Sequence, residues 1–497
     1  MKRKLIQILL PFILLFACLG FVACGESEEL PEQLDTPKNL KIEEGILTWD
    51  AVAFADGYYV NINNEQNKTT QCRYDLTELS ADKNYTIKVA AYSKKSRVKD
   101  SNYVGTSYAV DKILADRGFE FKQSGNTNDY RVTKFGVDKN GVCVIPASYR
   151  GGKVVSLSPA KDDDSLLKIK SLYLPSTLSS TTLEVPVAGL LGPYAVFKHF
   201  KNLETVDIEA SATSNYISEG HCIINKSTNK VVVGGIKSEI PDSVTAIGYY
   251  AFAGRNITEI TLPDTITKIG SGAFVACELL TSVSLPANLT QIESELFYGC
   301  KSLTDISLPS GITEIADTAF MYCESLKSIE IPDNVTSIGA QAFEYCSVLE
   351  SIAFPSGLTQ IGQFAFADCI ALKEIVIPAG VNTLKSYSFQ NCTALMSVTI
   401  LGDIPMIDRE TFKNCTSLKS IVIPKSVTSV AYEAFNNCSL EEVYYGGTEA
   451  EWNAININGT ENDSLQSATR YYFSEEQPAK SGNFWHYVDG VPTKWAQ

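Results

Sequence analysis

Between Gly235 and Val443 the apolar residues of this chain fall on a fixed ruler. In Leu326-Lys327-Ser328-Ile329-Glu330-Ile331 apolar and polar residues alternate. That pattern predicts a strand with Ile329 and Ile331 facing in, and Ser328 and Glu330 facing out. Pro332 has no N–H to donate and stops the strand. Val335 and Ile338 bring the chain back along the opposite side, and Gly339 turns it. Ala342, Phe343 and Cys346 follow at helical i, i+1, i+4 spacing, enough for one short helical turn. The unit then begins again 23 residues on.

The columns are strict. Cys277, Cys300, Cys323, Cys346, Cys369, Cys392, Cys415 and Cys438 are each 23 apart. Phe274, Phe297, Phe320, Phe343, Phe366, Phe389, Phe412 and Phe435 keep the same step, with Phe252 leading them by 22. Prolines mark a third column, in which one place holds Leu401. Self-similarity at one period of this length predicts a solenoid, whose rungs bury their apolar edges against each other. Cysteine suits such a column because it is small and readily buried. The expectation is a row of free buried thiols. Disulfides are the alternative, since an exported chain would permit them, but residues of one column point the same way rather than at each other.

Upstream the texture changes. From Pro37 to about Val110 short alternating runs such as Gly57–Ile62 and Tyr85–Tyr92 lie between turns, which predicts an antiparallel sandwich. This stretch resembles a fibronectin type III domain. Trp49 stands at the family's core tryptophan, Tyr59 lies in the next strand, and Leu79 precedes Tyr85 by the six residues of a tyrosine corner. Ile87 and Val89 continue the inward face, and Cys72 reads as a lone thiol. The module is a spacer or a binding unit in its own right. Tyr130–Leu157 alternates about glycine-containing turns, so residues 113–236 predict a β-rich cap with an irregular repeat and a hairpin inserted at Ile217–Ile236. Trp452 is the candidate plug for the last rung.

The N-terminus brings in a compartment. Lys2, Arg3 and Lys4 precede a mostly apolar stretch, and Phe21-Val22-Ala23-Cys24 resembles a bacterial lipobox. Leu15-Phe16-Ala17-Cys18 is a rival match, and an uncleaved membrane helix is the other reading. Cys24 is preferred because an acidic tether, Glu26, Glu28 and Glu29, starts directly after it. The expected divisions are a signal peptide at 1–24, a linker at 25–36, the sandwich at 37–112, the cap at 113–236, the repeats at 237–443 and a C-terminal cap at 444–497.

Charge and chemistry narrow the function. The net charge of −15 argues against nucleic acid, which needs clustered Lys and Arg. The three histidines, His199, His221 and His486, are scattered, and Asp162, Asp163 and Asp164 lack the spaced oxygens of a calcium loop. No catalytic residue, metal or cofactor is expected. What remains is the outward strand row, either a plain solvated sheet or a docking face. Its candidate contact residues are Glu330, Glu374, Val376, Val422 and Tyr444.

The repeat as a whole resembles the BspA-like leucine-rich repeats of bacterial surface proteins. It departs from the common leucine-rich pattern in that its cysteine comes late in the unit. The resemblance implies a mainly β protein, a sandwich followed by a leucine-rich-repeat solenoid with 23-residue rungs and short helical turns. It also implies a lipid-anchored adhesion or interaction protein that binds host or neighbouring-cell proteins. The alternative is a glycan-binding lipoprotein with Tyr471, Tyr472, Trp485 and Tyr487 as its platform.

Overall fold

The computed structural model describes residues 30–77, 79, 83–125, 127–158, 163–179, 183, 197–211, 214–459, 461–479 and 481–496. Cys24, Cys18 and the apolar leader lie outside these. The chain forms two compact units, divided after Ser165.

The first unit opens with two antiparallel sheets. One joins Lys41–Glu43, Ile46–Thr48 and Arg73–Asp75; the other joins Glu65–Thr69, Gly57–Ile62, Tyr85–Tyr92 and Val104–Tyr108. The inward residues the alternation picks out are the buried ones. Leu47, Val60, Ile87 and Val89 share one core with Trp49, whose ring meets Tyr58 edge-on at 5.2 Å. Tyr85 is buried there and Leu79 packs against it. Cys72 is half-buried, and its thiol donates to Tyr58 Oη at 3.5 Å. The helix Val110–Asp116 sends Ile113 into the same core, and Arg117 donates to the carbonyls of Thr77 and Leu79. A four-stranded sheet follows, from Glu120–Gln123, Tyr130–Lys134, Ser148–Tyr149 and Gly152–Leu157.

The second unit is a parallel β-solenoid. Each rung lays one strand in each of two sheets, and the pairing register repeats the sequence period. Ser328, Ile329 and Glu330 pair with Ser351, Ile352 and Ala353; Ser337 and Ile338 pair with Gln360 and Ile361. The segment read as a hairpin is a three-stranded meander, Tyr216–Glu219, Cys222–Asn225 and Lys230–Gly234. Its last strand pairs in parallel with Ala246–Ile247 and so starts the second sheet.

The third side of each rung is where the expected helical turn lies. The structure gives it a more exact form. Glu344 N–H bonds to Gln341 O (3.2 Å) and Cys346 N–H to Phe343 O (3.1 Å), as a single helical turn would allow. Between them Gln341, Phe343 and Tyr345 donate up the stack, to the carbonyls of Gln363, Ala365 and Ala367 at 2.8, 2.8 and 3.0 Å. Holding alternate N–H groups in that direction puts Gln341 (φ 56°) and Tyr345 (φ 62°) in the left-handed region. The pair recurs at Phe364 and Asp368, and again at Tyr387 and Asn391. Such a residue costs roughly 1–2 kcal/mol, and the bonds to the next rung offset it. Gly339 does not take a positive φ. It is a point of close approach, where a Cβ would come within 2.5 Å of Asp317 N in the rung below.

The Phe column is a continuous stack. Phe343 lies 5.2 Å from both Phe320 and Phe366, with planes within 7° of parallel. Beside it the ladder cysteines are free, and those from Cys277 to Cys415 are fully buried. Each thiol donates to the phenylalanine carbonyl of the rung before it, Cys346 Sγ to Phe320 O at 3.3 Å and Cys369 Sγ to Phe343 O at 3.2 Å. Phe343 O therefore accepts twice, from Cys346 N of its own rung and from Cys369 Sγ of the next. The ruler is explained by that second lone pair: a small side chain with one weak donor fills it without opening a void. At the first regular rung Arg255 stands three residues after Phe252, where later rungs hold cysteine. Its guanidinium bonds to Phe197 O (2.7 Å) and Gly234 O (3.0 Å), and burial pushes its pKa down to about 10.

Candidate functional site

The outward strand row is exposed where the alternation places it. Ser328 and Glu330 flank buried Ile329, and Glu374 and Val376 flank buried Ile375. Val376 is 54% exposed, a large apolar side chain standing among serines, threonines and carboxylates. Along the neighbouring corner charges alternate from rung to rung. Glu350 lies between Lys327 (3.3 Å) and Lys373 (2.6 Å), and those ammonium groups hold its pKa below the usual carboxylate value. The face is thus rigid and polar, with one exposed valine.

Two of the five candidate contact residues are not on it. Val422 and Tyr444 are buried, at 4% and 8% exposure, by a strand pair that the alternation of the repeats does not foreshadow. Beyond Glu442–Tyr445 the sheet continues through Thr469–Phe473 and Phe484–Val488 to an antiparallel return, Val491–Lys494. Trp485 covers Tyr444 edge-on at 5.7 Å and donates to Tyr445 O at 2.8 Å. Lys494 bonds to Glu442, which also accepts from Tyr444 Oη at 2.7 Å. The outward row therefore ends at Thr399, which is half-buried.

The aromatics considered as a sugar platform are part of the same cover. Trp485 is 1% exposed, Tyr471 stacks on Tyr444 at 5.3 Å beneath Lys494, and Tyr472 packs against the solenoid core. Tyr487 alone of the four is exposed, at 38%. Trp452 is buried in the solenoid core, on a helix at Glu449–Asn453 whose Thr448–Glu451 capping box fixes its start. His486 stacks on Trp495 at 3.7 Å. Asp163 accepts from Ser165 N and Oγ in a local turn, and Asp162 lies outside the described residues.

Sequence reasoning missed the turn side. There Tyr298, Tyr322 and Tyr345 form one run of partly exposed rings, and Phe364 and Tyr387 form another, stacked at 4.3 Å. The signal was available, because Tyr322 and Tyr345 each stand one residue before a ladder cysteine and Phe364 and Tyr387 each stand five before one.

The two-sheet rung with its Phe and Cys columns is that of a parallel leucine-rich-repeat solenoid. The description "BspA type Leucine rich repeat region" matches in 6 copies, over residues 236–349 and 336–454. Solved structures similar to this chain include a leucine-rich repeat protein from Bacteroides ovatus ATCC 8483, at 22% identity over 71% of this chain and 98% of that one, with a TM-score of 0.41. A leucine-rich cell surface protein from Faecalibacterium prausnitzii A2-165 is 23% identical over 68% and 96%, with a TM-score of 0.36. The pneumococcal vaccine antigen PcpA is 17% identical over 69% and 95%, with a TM-score of 0.36. No curated protein matches the chain.

Proposed function

We propose that this protein is a lipid-anchored cell-surface scaffold that binds other proteins through the outer sheet face of its repeats. The observation that carries the reading is the division of labour within a rung. Ile329, Phe343 and Cys346 are committed to packing, whereas Glu330, Glu374 and Val376 are held in register on a rigid face and contact solvent. Many small contacts add over so long a surface. Partners are extracellular host or neighbouring-cell proteins, and the fibronectin-like module lifts the array from the membrane. The repeats act as a binding scaffold and not as an enzyme.

The acidic face steers a basic partner and loses grip in salt. Lysine at positions 330, 374 and 376 together should weaken binding to a partner drawn from a panel of matrix proteins by about tenfold or more at low salt. Unchanged affinity, with the circular dichroism spectrum retained, moves the site off this face. The anchor is assigned to Cys24, through the lipobox and the acidic tether behind it. Cys24→Ser should abolish metabolic lipid labelling, and labelling lost instead in Cys18→Ser transfers the anchor to that residue. The glycan reading is favoured less, because Trp485 is covered.

A further inference from the structure

The turn side of the solenoid holds a buried carboxylate, Glu344, and a half-buried one, Asp368, beside an aromatic run, and among the described residues no cation pairs with them. Tyr322 and Tyr345 stack at 4.6 Å with planes 3° apart, and Tyr298 meets Tyr322 edge-on at 5.6 Å. Among the described residues no second ring stacks on Tyr345. The same column continues in the next rung with Asp368, the largest influence raising the Tyr345 pKa. Glu344, 7% exposed, adjoins them. Among the described residues neither carboxylate has an ion-pair partner. Glu344 accepts from Gln341 (2.6 Å) and Asp368 from Asn391 (3.0 Å), both neutral. Burial raises both carboxyl pKa values.

Farther along the same side the chain completes the arrangement itself. Arg409 lies over Tyr387 at 5.7 Å and Tyr432 at 5.3 Å, and its Nε bonds to Glu410 at 2.9 Å. Lys413 joins Glu410 and Glu433, and its bond lowers the Glu433 pKa. Lys413 occupies, three rungs on, the place that Glu344 holds. There, rings and carboxylates on this surface have taken a guanidinium.

We propose that Tyr322, Tyr345, Glu344 and Asp368 form a docking site for an arginine side chain of a protein partner, separate from the sheet face. A guanidinium set against the exposed part of Tyr345 gains the ring attraction and can present two donors to Asp368. A lysine ammonium lacks the plane that does both at once.

The probe is a blocked Gly-Arg-Gly peptide titrated into the whole exported chain carrying isotope-labelled tyrosine rings. Ring signals are assigned by Tyr322→Leu and Tyr345→Leu. The expected result is a saturable shift of those two rings that the citrulline peptide, uncharged but of the same shape, does not produce. Glu344→Gln with Asp368→Asn should weaken binding at least about fivefold, while Glu330→Gln with Glu374→Gln changes it less than about twofold. Both pairs are near-isosteric, and retained melting temperatures guard the comparison. Arg409→Gln should create a second site, seen as a new shift at Tyr387. No saturable shift, an equal response to citrulline, equal loss from both pairs, or silence at Tyr387 in Arg409→Gln would overturn the proposal. The sheet-face reading is unaffected by any of these outcomes.

Discussion

Phe343→Ala should lower the stability of the array by about 3–5 kcal/mol, the range for truncating a buried phenylalanine. The side chain is fully buried and touches a ring on each side, so its loss weakens two rung interfaces at once. Little can collapse into the space. The backbone on both sides is pinned by the N–H groups that donate from rung to rung, among them Phe343 N to Ala365 O at 2.8 Å. Because a solenoid's stability is close to a sum of neighbour terms, the defect should also loosen its cooperativity. Denaturant melts should broaden or split, and amide exchange should accelerate first in the rungs of Phe320, Phe343 and Phe366. Cys346→Ala, which removes a smaller side chain and one weak donor, should cost less. A loss below about 1 kcal/mol for Phe343→Ala would contradict the stacked-column account.

Trp485→Ala should be comparably severe but confined to the C-terminal end. The ring touches Tyr444, Phe473 and Tyr487, and its N–H satisfies Tyr445 O. Truncation forfeits about 3–5 kcal/mol of packing and strands that carbonyl. The return strand Val491–Lys494 keeps its pairing with Phe484–Val488, but that hairpin then loses its main apolar anchor, and the Lys494–Glu442 pair at its end contributes little. Protease should cut between Phe473 and Phe484 in the variant and spare the wild type. An apolar dye should bind the uncovered Val422 and Tyr444, while exchange in the central rungs stays unchanged. Wild-type protease resistance would show that Trp485 does not hold the cover down.

The period, the inward columns, the two strand faces and the sandwich core were all legible in the sequence, because each rests on local alternation or on repetition. Glu330, Glu374 and Val376 came out exposed for the same reason. Val422 and Tyr444 obey the same alternation and were misplaced. What buries them is Trp485, some forty residues downstream and outside the repeat, and no period announces a cover of that kind. The left-handed turn residues were hidden differently. Gln341, Tyr345 and Phe364 are not residues whose own preferences favour positive φ. Bonds between rungs impose the conformation, so it shows only once rungs are stacked. The second lone pair of each phenylalanine carbonyl belongs with these. The three-residue step from Phe to Cys was visible, but its partner lies one rung away.

The pairing register has a consequence at the level of the gene. Through the central rungs the pairing crosses one whole unit, Ser328 with Ser351 and Ser337 with Gln360, and the thiol and ring columns keep the same step. A crossover between misaligned copies of the coding segment removes or inserts whole units. Every surviving rung then meets a neighbour of the same shape, with its carbonyls filled and its rings stacked. The array can therefore change reach between lineages without passing through an unfolded intermediate form.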